Sequence, residues 1–144
     1  MEDLAMRQKR ILYPNVKEAC LPVTKYSGKD TNSLTKAVID CFKLHGFFAT
    51  RIDSKGTYNV ALKRFIPSNQ KKGLPDVFAQ APCLPPIWVE VKCHVTRDTL
   101  KPHQKEVIEQ LRNSGAIVYI ATDFESFYQW FKKEIIKTEV FDTR

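Results

Sequence analysis

Ile87-Trp88-Val89-Glu90-Val91-Lys92 reads as a β-strand entered from the Pro-rich segment Ala81–Pro86. Side chains alternate along a strand, so Ile87, Val89 and Val91 share one face and Trp88, Glu90 and Lys92 the other. Glu90 and Lys92 are then neighbours, about 6.6 Å apart along the strand. Burying a carboxylate and an ammonium on so apolar a strand is costly unless they pair with each other or with an ion. Taken alone, the Glu-x-Lys pair is accounted for by a plain salt bridge at a sheet edge, because exposed charges on strands are ordinary.

A second carboxylate changes the balance. Asp76 follows Pro75 at the start of a short strand, Asp76-Val77-Phe78-Ala79, 14 positions before Glu90. Two strands joined by a Pro-rich turn are most naturally adjacent, and adjacent strands lie about 4.8 Å apart. Asp76 and Glu90 can therefore converge near one end of the sheet. Two carboxylates that close repel unless a cation sits between them, and hard oxygen ligands with room for water suit Mg²⁺ or Mn²⁺. A lysine beside such an ion can orient or help deprotonate an attacking water and can stabilise charge developing on a phosphate. The chemistry implied is metal-assisted hydrolysis of a phosphodiester. Gln104, on the helix that starts at Pro102, shares a face with Ile108 and Leu111 and sits near the loop leaving Lys92. It either joins this site or bonds a free amide at the helix start.

Further outward, Thr31, Asn32 or Ser33 can cap a helix whose Leu34, Val38, Cys41, Phe42 and His45 lie on one face, with Gly46 as its stop. A strand follows at Phe47–Ile52, then a turn at Asp53–Gly56, a possible strand at Tyr58–Leu62, and a basic polar stretch, Lys63–Lys72, expected as a mobile loop. The helix from Pro102 runs to Asn113. Ala116–Ala121 reads as a strand buried on both faces, and Thr122 or Asp123 caps a last helix with Phe124, Phe127, Tyr128, Phe131 and Ile135 on one stripe. This order argues an α/β layered domain with helices covering a central sheet. Residues 1–30 show no sustained period and are expected as an N-terminal basic arm with a short helix around Leu4–Leu12, leaving 31–144 as the domain proper.

The chain has 144 residues and a net charge of +7. That excess is N-terminal: residues 1–75 hold 14 basic against 6 acidic residues, and residues 76–144 hold 9 against 10. Such a balance favours a polyanionic partner, nucleic acid before an anionic membrane surface. Lys63, Arg64, Lys71 and Lys72 lead directly into Gly73-Leu74-Pro75-Asp76, which places phosphate contacts beside the proposed ion; Arg51 and Lys55 can serve the same end. No apolar run approaches the roughly 18 residues of a membrane helix. With no signal segment at the start of the chain, an intracellular, cytoplasmic setting is expected. Cys20, Cys41, Cys83 and Cys93 form no CxxC pair and read as reduced thiols; the spacing of Cys83, Cys93, His94 and His103 matches no usual zinc pattern. His45 reads as a core or rim histidine. Trp130 falls off the aromatic stripe and is free for a partner surface.

Gly73-Leu74-Pro75-Asp76, then Trp88-Val89-Glu90-Val91-Lys92, then Gln104 together resemble the G-x-P-D, E-x-K and Q elements of the PD-(D/E)XK nuclease superfamily, and most closely its virus-type replication-repair nuclease (VRR-NUC) branch, over about residues 31–136. The resemblance implies a restriction-endonuclease-like αβββαβ core with a central mixed sheet flanked by helices. It also implies an ion, Mg²⁺ or Mn²⁺, held by Asp76, Glu90 and the backbone carbonyl of Val91, with Lys92 serving the water and Gln104 supporting the site. The function implied is cleavage of DNA, with selection of flapped, forked, junction or single-stranded structures, in replication, repair or recombination. DNA is the partner, no membrane is involved, and a homodimer is one assembly compatible with it. The family often places a glutamate early in the first helix, where this chain has Thr31, Asn32 and Ser33; Asp30 and Asp40 are the nearest acids. Two rivals stand beside this reading: an inactive nuclease fold that only binds DNA, and an interaction protein whose basic arm binds RNA or a partner.

Overall fold

The computed structural model describes residues 1–23, 26, 28–54 and 56–137. Helix α1 (Glu2–Leu12) is followed by α2 (Thr31–Leu44), β1 (Phe48–Arg51), β2 (Thr57–Asn59), β3 (Arg64–Ile66), β4 (Val77–Gln80), β5 (Ile87–Val91), α3 (Pro102–Asn113), β6 (Ile117–Ala121) and α4 (Phe124–Trp130), the last running on as π-helical turns over Phe131–Ile136. The main sheet has the order β1-β4-β5-β6: β1 and β4 are antiparallel, β4 and β5 antiparallel, β5 and β6 parallel. The parallel pair requires a crossover, and α3 supplies it. This is the mixed, helix-flanked αβββαβ sheet expected from the sequence.

The two faces of β5 are covered differently. Ile87, Val89 and Val91 belong to a core that includes Leu34, Val38 and Phe42 of α2 and Phe127 and Phe131 from the C-terminal helix. Phe42 anchors that core, its ring 5.6 Å from Phe127 and 5.2 Å from Phe131, both edge-on. Each such ring stabilises the fold by about 1.5–3 kcal/mol through burial alone. The opposite face of β5, with Glu90, meets α3 through Gln104. Helix α1 rests on α2, with Ala5 buried.

Four local expectations are corrected. The α2 cap is Asp30, not one of the three residues after it; its carboxylate accepts from the Ser33 amide at 2.9 Å and the Ser33 hydroxyl at 2.6 Å. The stretch expected as a loop contains β3, which pairs with β2 as a separate two-stranded ribbon. The strand expected at Tyr58–Leu62 ends at Asn59, whose side chain accepts from the Leu62 amide to form the turn. Finally, β6 is half-buried except at Ala121, because it is the edge of the sheet and not an interior strand. Among the described residues no helix is long and apolar enough to cross a membrane.

Candidate active site

The antiparallel pairing of β4 and β5 begins at Val77 opposite Val89, with Asp76 just before the one strand's first pair and Glu90 just after the other's. Asp76 turns its own backbone toward β1, where its carbonyl accepts from the Ile52 amide at 2.8 Å. Its side chain reaches the other way, and Oδ2 accepts from the Val91 amide at 3.0 Å. A strand residue presents its N–H and C=O to the same side, so the Val91 carbonyl faces the Asp76 side too.

Glu90 is completely buried. Its Oε1 accepts from Gln104 Nε2 at 2.6 Å and lies 3.0 Å from Lys92 Nζ. Its Oε2 is buried with no hydrogen-bond partner. Burial, and after it the charge of Asp76, push the Glu90 carboxyl up to about 7, despite the opposing pull of Lys92. Lys92 is 7% exposed and lies between Glu90 and Asp98, whose Oδ2 is 3.5 Å from the ammonium. Burial alone would lower the Lys92 pKa; the hydrogen bond and charge of Glu90, with the charge of Asp98, outweigh it and raise the pKa above the ordinary lysine value. The Glu-x-Lys pair is therefore not an exposed bridge at a sheet edge: β5 is interior, and both groups are inside.

Gln104 makes two hydrogen bonds that tie β5 to the start of α3. Its Oε1 accepts from the Lys101 amide at 3.0 Å, closing the start of α3, while its Nε2 fixes Glu90. The loop before Asp76 packs tightly against the same helix start. Gly73 has φ +93°, and a Cβ there would stand 2.7 Å from the His103 carbonyl oxygen, so no other residue fits without displacement.

A cleft of about 480 Å³ is lined by Asp76, Val91, Lys92, Asp98 and Gln104 on one side and by Thr31, Asn32, Arg51 and Lys72 on others, with Glu90 buried out of its lining. Of the basic residues singled out in the sequence, Arg51 and Lys72 reach this cleft. Lys71 extends instead to Gln110 Oε1, at 2.6 Å on α3. Lys63 and Arg64 lie on the β2–β3 ribbon, and Lys55 lies outside the described residues. His103 borders the cleft; His45 does not, its Nδ1 lying 2.8 Å from the Cys41 carbonyl and its ring 5.0 Å from Phe131. Neither nearby acid takes the place of a first-helix glutamate. Asp30 is the helix cap, its carboxyl held below the usual range by the Ser33 hydroxyl and amide, and Asp40 borders a different hollow, beside Tyr26. The corner is held by Asn32, whose Oδ1 accepts from Arg51 at 2.9 Å. Asp98 was missed by sequence reasoning because it lies in an irregular segment with no period to place it.

A solved structure described as "VRR_NUC domain" is similar to this chain with a TM-score of 0.55, over 72% of this chain and 96% of the other. The fold is that of a VRR_NUC domain. The identity is 19%, so the likeness speaks to fold and not to chemistry. No family model matches the chain, and no curated relative does. Within this VRR_NUC fold, Asp76, Glu90, Lys92 and Gln104 come together at the end of β4 and β5, over the start of α3.

Proposed function

We propose that the chain is a divalent-metal-dependent DNA endonuclease that hydrolyses phosphodiester bonds and selects its DNA by structure, acting in replication, repair or recombination. Flapped, forked, junction and single-stranded DNA are the substrate classes. The observation that carries this reading is Glu90: a fully buried carboxylate with one oxygen unpartnered, close enough to Asp76 to feel its charge. A buried polar atom without a partner costs about 1–3 kcal/mol, more when charged, and a cation at this point would remove that cost.

The donor set fits Mg²⁺ or Mn²⁺. Asp76, Glu90 and the backbone carbonyl of Val91 are hard oxygen ligands, and among the described residues no three His, Cys, Asp or Glu side chains gather into a cage. Few protein ligands suit an ion that keeps its waters and meets a phosphate. Bound there, it would supply the Lewis acidity that activates a water and polarises a phosphodiester. Lys92, held as the ammonium by Glu90 and Asp98, is suited to orient the attacking water and to balance charge developing on the phosphate, more than to accept a proton. Gln104 fixes the Glu90 carboxylate from behind. Arg51 and Lys72 offer the cleft rim to the DNA backbone.

The test is cleavage of a panel of flap, fork, junction and single-stranded DNAs with Mg²⁺ or Mn²⁺ and with EDTA. Asp76→Ala, Glu90→Ala and Lys92→Ala are each expected to abolish cutting while DNA binding persists; undiminished cutting in all three would overturn the site. Asn32 in place of an acid favours one alternative, a DNA-binding module of this fold that does not cut. Retained DNA binding with no metal-dependent heat on calorimetric titration would select it.

A further inference from the structure

The β2–β3 ribbon is not part of the main sheet, yet both of its ends are rooted at the cleft. The chain leaves the rim at Asp53–Ser54 and returns to it at Lys72–Gly73. In the ribbon Tyr58 and Phe65 are direct register partners, so their rings stand on one side of it. They are 57% and 61% exposed, which is unusual for two adjacent aromatic rings. Phe65 is nonetheless held in place: a Cβ on Gly56 would lie 2.6 Å from its ring carbons, so the ring rests on bare backbone and keeps its outer surface free. At the turn, Lys63 adopts a left-handed conformation (φ +47°) that favours glycine or asparagine. Neither Lys63 nor Arg64 forms an ion pair among the described residues.

Exposed rings beside cations that form no ion pair among the described residues match one partner chemistry. Cations at the tip suit a phosphate backbone, and flat aromatic surfaces suit the faces of unstacked bases, which an intact duplex does not offer. We infer that the β2–β3 ribbon is a DNA-engaging wedge, with Tyr58 and Phe65 stacking on unpaired nucleotides at a duplex edge and Lys63 and Arg64 gripping the adjoining phosphates, and that it directs the cleft to fork- or flap-shaped DNA. This inference rests on the proposed nuclease function and names the element that would give it structural selectivity.

The experiment measures binding of the full chain in EDTA, so that no cutting intervenes, to a forked DNA and to a blunt duplex of the same sequence, each labelled for fluorescence anisotropy. Tyr58→Ala/Phe65→Ala is expected to weaken fork binding about 10-fold or more, since stacking is sequence-tolerant and strong for each base, and to leave blunt-duplex binding nearly unchanged. Lys63→Ala/Arg64→Ala is expected to weaken both, with the salt dependence of log K reduced by about 2. A 2-aminopurine placed at the unpaired edge should be quenched by the wild type and not by the aromatic double variant. All four side chains are exposed, and a circular-dichroism melt checks that the fold is kept. An unchanged fork preference in Tyr58→Ala/Phe65→Ala overturns the inference, as does a wild-type dimer that the same variant dissociates without loss of fork binding. Failure of the wild type to bind any DNA would bring down the nuclease reading as well; fork-selective cutting that survives the double variant would bring down the wedge alone.

Discussion

Replacing Glu90 by Gln separates a metal site from a structural salt bridge, and it does so without measuring catalysis. Burial pushes this carboxyl up to about 7, from an ordinary value near 4.5. In the metal-free protein the folded state therefore keeps a proton that the unfolded chain has already lost. The stability contributed by protonated Glu90 is fully present below about pH 4.5 and is lost as pH rises through about 7. A shift of this size corresponds to about 3 kcal/mol at about 1.4 kcal/mol per pH unit, and relaxation around a buried charge reduces this to about 1–2 kcal/mol. Gln keeps the size of the side chain and can still bond Gln104, but carries no charge. In EDTA at pH 8, Glu90→Gln should therefore melt about 3–6 °C above the wild type, with the two converging toward pH 4.5. Adding Mn²⁺ at pH 8 should raise the wild-type melting temperature and leave the variant almost unmoved. A variant less stable than the wild type at pH 8 in EDTA would refute the reasoning, because Glu90 would then be present for its bond to Lys92.

Two further substitutions test the geometry around that carboxylate. Asp76→Asn keeps an oxygen to accept from the Val91 amide but removes the charge that acts on Glu90. Calorimetric titration should show Mn²⁺ affinity reduced about 10-fold or more, and an unchanged affinity would remove Asp76 from the ligand set. Gly73→Ala puts a Cβ 2.7 Å from the His103 carbonyl oxygen at a φ of +93°. Urea unfolding should show a loss of about 2 kcal/mol or more, and no measurable loss would mean that the loop before Asp76 is not seated on α3 as described.

What was legible in the sequence was whatever follows from strand alternation or helix period. The faces of β5 are fixed by Ile87–Lys92 alone, and the short Pro-rich connection made β4 its neighbour, so Asp76 and Glu90 could be brought together before any coordinates. The aromatic core of α2 and α4 followed from spacing in the same way. Other features depend on information that no period carries. Asp30 wins the cap of α2 over Thr31, Asn32 and Ser33 because its carboxylate bonds both the amide and the hydroxyl of Ser33. Ribbon β2–β3 is two three-residue strands closed by the Asn59 side chain, too short for an alternating pattern to register. Asp98 reaches Lys92 from an irregular segment, and only distance identifies it.

The basic excess of the first 75 residues is therefore not one surface. On α1, Arg10 pairs with Glu18 and Lys9 donates to the Pro22 carbonyl, so part of the charge of the N-terminal segment is engaged within it. The cations that approach the cleft come from a later stretch: Arg51 and Lys72 at the rim, with Lys63 and Arg64 on the ribbon between them. That stretch is flanked by the cleft at both ends and contains exposed rings as well as charge. A polyanion drawn by net charge alone would have no reason to prefer a cleft bordered by Asp76 and Asp98, which repel it. Arg51, Lys72 and Lys92 border the same cleft, so the local balance of charge there is set by where these cations stand and not by the net excess of the chain.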